Sequence, residues 1–133
     1  MKFMYGLFAL LMTFCMVGTA QAARNVTTDD KVVEISTGSG KAPSADEARK
    51  AIRSGGIGKG WTAFDKGPGK VKLDLDVKGK YNVSVEVLYN SKTYTVKYLS
   101  SENMKFDQGK IHPKYAEWIG TLIKGINAEF GKL

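Results

Sequence analysis

The sequence predicts a two-layer α+β fold. A four-stranded antiparallel meander is expected over about 61–99, with an N-terminal helix (44–54) and a C-terminal helix (113–130) packed on one of its faces. From residue 71 to 99 apolar and polar side chains alternate, a period of two that is typical of strands with one buried face. Towards the C-terminus apolar side chains recur every three or four residues, the spacing of an amphipathic helix. Each layer therefore has an apolar face that the other can cover.

The alternation also predicts which residues of the central hairpin lie opposite one another. A three-residue loop at 78–80 pairs Val77 with Tyr81, Leu75 with Val83, Leu73 with Val85 and Val71 with Val87. Every inward residue then meets another inward residue, whereas a slip of one residue would turn the apolar set towards water. On the polar face the same register places Lys72 opposite Glu86.

The following hairpin is predicted to form around a two-residue turn at 90–91. This turn pairs Val87 with Tyr94, Val85 with Val96 and Val83 with Tyr98. Val85 and Tyr94 are therefore expected in the core. The last strand is expected to end near Leu99.

The region before residue 71 predicts a helix and a short first strand. Ser44 followed by Glu47 forms a capping box, and Gly55 with Gly56 is expected to end the helix. Trp61 is expected in the core, at the start of a strand over 61–64. Residues 23–43 are expected to form a flexible or loosely ordered segment, in which 31–36 has the composition of a short edge strand, and 44–133 a single domain.

The C-terminal helix is predicted from its apolar stripe. The stripe consists of Tyr115, Ile119, Leu122, Ile126 and Phe130, widened by Trp118 and Ile123. Pro113 falls in the first turn, where its missing N–H is harmless.

The first 22 residues predict an export signal. Lys2 precedes an apolar run, and Ala20-Gln21-Ala22 has the small-x-small pattern of a signal-peptidase site, so cleavage is expected after Ala22. We therefore expect a periplasmic, secreted chain with no transmembrane segment in its mature part. Cys15, the only cysteine, lies within the signal, which excludes a disulfide framework, a thiolate nucleophile and a cysteine metal site from the mature protein.

The charge of the chain is moderately basic. The formal charge of +7 falls to +6 when Lys2 is removed, and the lysines are scattered rather than clustered. This pattern favours a solvated surface over nucleic-acid binding. A weak attraction to anionic groups on the envelope surface is compatible with it.

Several polar and aromatic residues lie between the end of the last predicted strand and the first turns of the C-terminal helix. They are Tyr98, Glu102, Asn103, His112, Tyr115 and Trp118. Convergent side chains of these types suit a ligand pocket. The same residues also suit a structural network that satisfies the polar groups of a buried loop.

The sequence predicts a binding or interaction module rather than an enzyme. His112 is the only histidine, and neither a nucleophile elbow nor a carboxylate pair accompanies it. No spacing of ligands predicts a metal, and no cofactor is expected. The partner is expected to be a small ligand or an envelope protein. Two alternatives are an assembly factor that uses the exposed sheet face or an edge strand, and an enzyme that uses His112.

Two short motifs resemble a known family. S-E-N-x-x-F at 101–106 and I-H-P-x-Y-x-x-W at 111–118 are similar to motifs near the C-terminus of a family of small, uncharacterised proteobacterial envelope proteins, many of which are described as lipoproteins. The similarity covers about 44–128 and includes Gly60-Trp61. It implies a fold and a compartment but no reaction. The chain departs from the lipid-anchored members because no cysteine follows its signal.

Overall fold

The computed structural model describes residues 25–133. The predicted signal peptide (1–22) and its cleavage site lie outside the described residues. The helices are α1 (Ala45–Gly58) and α2 (Lys114–Gly131). The strands are β1 (Val26–Thr27), β2 (Lys31–Glu34), β3 (Thr62–Asp65), β4 (Lys70–Val77), β5 (Tyr81–Tyr89), β6 (Thr93–Glu102) and β7 (Lys110–Ile111).

The predicted α+β architecture is confirmed, and the main sheet has one strand more than expected. It is antiparallel, with the order β2-β6-β5-β4-β3, so β3 to β6 form the predicted meander. The fifth strand, β2, pairs with β6 and places Val33 opposite Tyr94. It lies within 23–43, which the sequence analysis expected to be loosely ordered. The strand was not predicted there with certainty, because an alternation of four residues is too short a signal beside the glycines that follow it. A separate pair, β1 with β7, joins Val26 to Ile111.

The predicted register of β4 with β5 is confirmed at every inward position, and Lys72 lies opposite Glu86. Lys78 and Gly79 at the hairpin turn have φ of 58° and 67°. The Lys80 N–H donates to the Val77 carbonyl at 3.1 Å. Alternation and turn chemistry specify the same alignment here, which explains why the sequence alone predicted this register correctly.

The predicted register of β5 with β6 is wrong by two residues. Tyr89 lies opposite Tyr94 and Val85 opposite Tyr98, so the turn is centred on 91–92, one residue later than predicted, and the Asn90 N–H donates to the Thr93 carbonyl at 3.0 Å. The Asn90 side chain accounts for the position of the turn, since its Oδ1 accepts hydrogen bonds from the backbone N–H groups of Lys92 (2.7 Å) and Thr93 (2.8 Å). Asparagine commonly organises turns in this way. A shift of two preserves the buried face.

A bulge then carries β6 beyond its predicted end. Val85 pairs with Tyr98 but Ser84 pairs with Ser100, so Leu99 is the extra residue and its side chain is exposed. The bulge reverses the alternation that follows it, and Ser101 lies opposite Val83 in place of the predicted Tyr98.

The core lies between the helices and the inward face of the sheet. Val85 and Tyr94 are fully buried, as predicted. The apolar stripe of α2 is buried against them, and Tyr94 stacks on Phe130 with ring centroids 5.8 Å apart. The Tyr94 hydroxyl donates to Asn127 Oδ1 at 2.7 Å, which ties the sheet to α2. Trp61 is buried, as expected.

Helix α1 begins as predicted and ends later. The Ser44–Glu47 capping box is present, but the helix continues through Gly55 and Gly56 to Gly58. Gly55 is buried at the contact with α2, and Gly56 is buried mainly against the Leu73 side chain of β4. A Cβ on Gly55 would lie 2.5 Å from Ile126 Cα, and one on Gly125 would lie 2.7 Å from the Gly55 carbonyl oxygen. Here glycine permits close packing of two backbones instead of ending a helix.

Neither helix in residues 25–133 has the combination of length and apolar character that crossing a bilayer requires.

The packing of α1 on α2 predicts opposite effects for two alanine substitutions. Gly55→Ala places a methyl group against the Ile126 backbone, and we expect the free energy of unfolding to fall by about 1–3 kcal/mol. Gly120→Ala is the matched control, because a Cβ there meets nothing within 4 Å. Alanine is the better helix former, so we expect a gain of about 0.5–1 kcal/mol. Urea unfolding followed by circular dichroism measures both. Equal stability of Gly55→Ala and the parent chain would contradict the packing described.

Candidate functional site

One end of the main sheet is built by two turns that contact each other. The first is the β4–β5 turn at 78–80, and the second is the loop at 103–109 that follows β6. Asn103 joins them, since its Nδ2 donates to the Lys80 carbonyl at 2.5 Å. Asn103 has φ of 61°, a left-handed conformation that asparagine tolerates better than most residues.

The loop after β6 is held in place from inside the protein. Met104 is buried, and its carbonyl accepts a hydrogen bond from the His112 N–H at 2.9 Å. On its far side, the Thr28 N–H donates to the Gly109 carbonyl at 2.9 Å. The short β1–β7 pair continues this attachment. The loop is therefore anchored at both ends.

His112 is placed at the start of α2 by a hydrogen bond of its ring. Its Nδ1 accepts from the Lys114 N–H at 3.1 Å. The hydrogen-bond network thus assigns the ring proton of a neutral His112 to Nε2, which leaves Nε2–H as a donor. Pro113, the residue at the helix boundary, provides no side-chain cap. His112 thus accepts a hydrogen bond from an N–H that would otherwise have no partner within the helix.

A hollow of about 440 Å³ lies between the β4–β5 turn and the start of α2. It is lined by Val77, Lys78, Tyr81, Met104, His112, Lys114 and Trp118. The rings of Tyr81 and Trp118 have centroids 6.5 Å apart and are inclined at 52°. The volume lies in the range of small-molecule sites, roughly 300–1,000 Å³. The lining combines apolar walls with a few polar groups, as such sites do.

Two larger depressions in residues 25–133 are less suited to a ligand. One of about 500 Å³ is lined by Asn25, Asp107, Gln108 and Lys110. A second, of about 490 Å³, lies among the loops at 34–43 and 91–93. Both are more open than the hollow beside Trp118, and neither has an aromatic side chain among its described lining residues.

The structure divides the six residues that the sequence grouped together. His112 and Trp118 line the hollow, and Asn103 ties the two turns that border it. Tyr98 and Tyr115 belong to a separate aromatic cluster. Glu102 lies opposite Asn82 at the end of β6, with its side chain exposed, and is not among the residues that line the hollow.

The aromatic cluster is formed by Tyr98, Phe106 and Tyr115. Tyr98 stacks on Phe106 with centroids 4.6 Å apart and meets Tyr115 edge-on at 5.9 Å. Its hydroxyl and Ser101 Oγ share a hydrogen bond of 2.8 Å. Burial, followed by the nearby Tyr98 and Asp30, raises the pKa of Tyr115 to about 12. This cluster packs the loop against α2.

Five residues of the hollow were missed by the sequence interpretation. They are Val77, Lys78, Tyr81, Met104 and Lys114. The confirmed β4–β5 register already placed Val77, Lys78 and Tyr81 together at one turn. The missing information was which end of the sheet the start of α2 covers, and the sequence contains no local signal for that.

The charges around the hollow are mainly positive. Lys78 and Lys114 line it, and Lys80 Nζ lies 5.3 Å from the centre of the Tyr81 ring. Lys114 forms an exposed ion pair with Glu117 at 3.5 Å. In the described part of the chain, no group of three or more His, Cys, Asp or Glu side chains is placed to hold a metal ion.

No protein-family model, curated protein or solved structure matches the chain. The resemblance to the envelope-protein family therefore stays a prediction from the sequence motifs.

The raised pKa of Tyr115 predicts a loss of stability at alkaline pH. The unfolded chain releases this proton near pH 10 and the folded protein near pH 12, so the free energy of unfolding falls as the pH rises between these values. Urea unfolding of the parent and of Tyr115→Phe, at about pH 8 and pH 11, measures the effect. We expect the difference between the two proteins to change by about 1 kcal/mol in favour of the variant. The same difference at both pH values would contradict the burial of this phenol.

Proposed function

We propose that this protein is an exported, non-catalytic binding module of the cell envelope and that its ligand site is the hollow between the β4–β5 turn and the start of α2. The observation that supports the proposal is the shape and lining of this hollow. Two aromatic rings, Tyr81 and Trp118, form walls beside three nitrogen-bearing side chains. Concave sites with apolar walls and a few polar groups are the usual form of small-molecule sites.

The role of His112 supports binding over catalysis. Its Nδ1 is engaged by the Lys114 N–H. The nearest candidates for catalytic partners in the sequence lie elsewhere. Ser101 bonds to Tyr98, Glu102 is exposed at the end of β6, and Asp107 is exposed in the loop, where its backbone forms a β-bridge with Lys110. A general base must lie within hydrogen-bond reach of the group that it deprotonates, and among the described residues the ring of His112 bonds to the Lys114 N–H and to none of these three side chains.

Small aromatic probes test the proposal directly. Indole, indole-3-acetate and tryptamine share one ring system and differ in charge. We expect at least one of them to produce saturable NMR shifts at the Tyr81 and His112 amides and at the Trp118 indole N–H. Shifts that spread evenly over the surface, or none at all, would contradict a binding hollow.

Trp118→Ala is expected to weaken binding of the best probe by about tenfold or more, because the substitution removes an aromatic wall. Phe64→Ala is the matched control. Phe64 is 44% exposed and lies on the opposite face of the sheet, where Lys72 contacts its ring. This variant should bind as the parent does. Equal losses from the two substitutions would show that the probe does not occupy the hollow.

A second candidate function is assembly with an envelope protein through the edges of the sheet. Each edge strand exposes one large apolar side chain, Val32 on β2 at 68% and Phe64 on β3 at 44%. Short exposed edges can accept a strand from a partner.

Site-specific photo-crosslinking in intact cells tests the second candidate. A crosslinker at position 32 or 64 is expected to trap one repeatable partner, and the control position is Ile57, which is 54% exposed on α1. The same products from all three positions would contradict an edge-specific partner.

A further inference from the structure

We infer that the hollow binds an amphipathic organic anion: a single small molecule with an aromatic or alkyl body and a carboxylate, phosphate or sulfonate group. This inference rests on the proposed binding function and adds the chemical class of the ligand. It follows from how charge and apolar surface are divided within the hollow.

The charged groups of the hollow select against a cation. Lys78 and Lys114 are among its described lining residues, and none of those is acidic. Within residues 25–133, Lys114 pairs with the carboxylate of Glu117, which lies 3.5 Å from its Nζ, and both side chains are more than half exposed. Exposed ion pairs are weak, so an incoming anion can replace Glu117 at little cost. The rim therefore presents net positive charge to a ligand.

The aromatic walls do not form a cage for a cation either. Such cages place a ligand cation over the face of an aromatic ring. Here Lys80 Nζ already lies 5.3 Å from the centre of the Tyr81 ring. A second cation at this wall would be repelled by the positive charges of Lys80 and Lys78.

His112 supplies a directed donor beside the lysines. Because Nδ1 accepts from the Lys114 N–H, the proton of the neutral ring is on Nε2. Nε2–H can donate to an oxygen of the anionic group. Two lysine ammonium groups and one imidazole N–H thus line the same hollow, while Val77, Tyr81, Met104 and Trp118 provide the surface for the apolar body.

Charge alone would not hold a simple inorganic anion at this site. The lysines are exposed, and exposed ion pairs are screened by salt. The apolar walls must supply much of the binding, which is why the ligand needs an apolar body as well as a charge. The concave shape suits one small molecule better than a membrane surface, because Trp118 is half-buried in a wall.

Two dyes that differ in one group test this inference. 1-Anilinonaphthalene-8-sulfonate carries a sulfonate, and N-phenyl-1-naphthylamine has the same rings and no charge. Fluorescence titration at low salt is expected to show about tenfold tighter binding of the sulfonate, with the difference shrinking as salt is added. Trp118→Ala is expected to weaken the binding of both dyes.

Lysine variants separate the charge of the site from its shape. Lys78→Gln and Lys114→Gln are each expected to weaken binding of the sulfonate about threefold and to leave the neutral dye unchanged. Lys97→Gln is the matched control, since Lys97 is exposed opposite Glu86 on the other face of the sheet. It should change neither dye. All three substitutions lie at exposed side chains, so they are expected to leave the fold intact.

The outcomes distinguish this inference from the proposed function. Equal affinity for the two dyes, with Trp118→Ala weakening both, would overturn the anionic ligand and leave the binding hollow standing. Binding of neither dye, together with no shifts from the indole probes, would overturn both. Binding to anionic lipid vesicles that Lys78→Gln abolishes, without binding of the free sulfonate dye, would also overturn the inference, in favour of a membrane surface.

Discussion

The backbone contact of α1 with α2 at Gly55 and Gly125 is the constraint on which the rest of the structure depends. Because the contact joins backbone to backbone, it leaves the two helices little freedom to separate or slide. Tyr94 then fixes α2 to the sheet through Asn127. Trp118 lies about two helical turns before Gly125, roughly 10 Å along α2. The packing that holds the core together therefore also sets the position of one wall of the hollow.

The sheet shows how far alternation can be used to predict register. Between β4 and β5 the predicted pairs are correct, because a tight turn and a long alternation specify the same alignment. Between β5 and β6 the alternation specified only the face. Asn90 organised a turn one residue later than predicted, and Leu99 formed a bulge that a pattern of period two does not reveal. Core membership was therefore predictable where the exact partners were not.

Glycine and sequence proximity were the two signals that misled the prediction. Gly55 and Gly56 are local signs of a helix end, but tertiary packing gives them a different role in α1. Glu102 and His112 are close in sequence, yet a strand end and an anchored loop place them in different surroundings. Tyr81 is about 30 residues from His112 in the sequence and shares the hollow with it. Such a site depends on which end of the sheet α2 covers, a property that no single segment encodes.

The strained residues of the described chain lie at this same end. Lys78, Asn103, Lys105 and Gln108 are its non-glycine residues with positive φ, a conformation that costs about 1–2 kcal/mol each. Lys78 is held in a turn closed by the Lys80 N–H and the Val77 carbonyl, and the other three persist because buried Met104, the Met104–His112 hydrogen bond and the β1–β7 pair hold their loop in place. A loop held so firmly gives the hollow a wall that exists before any ligand arrives. If the proposed ligand site is correct, a ligand would lose little free energy to ordering the protein, which favours binding even in a hollow with few polar groups.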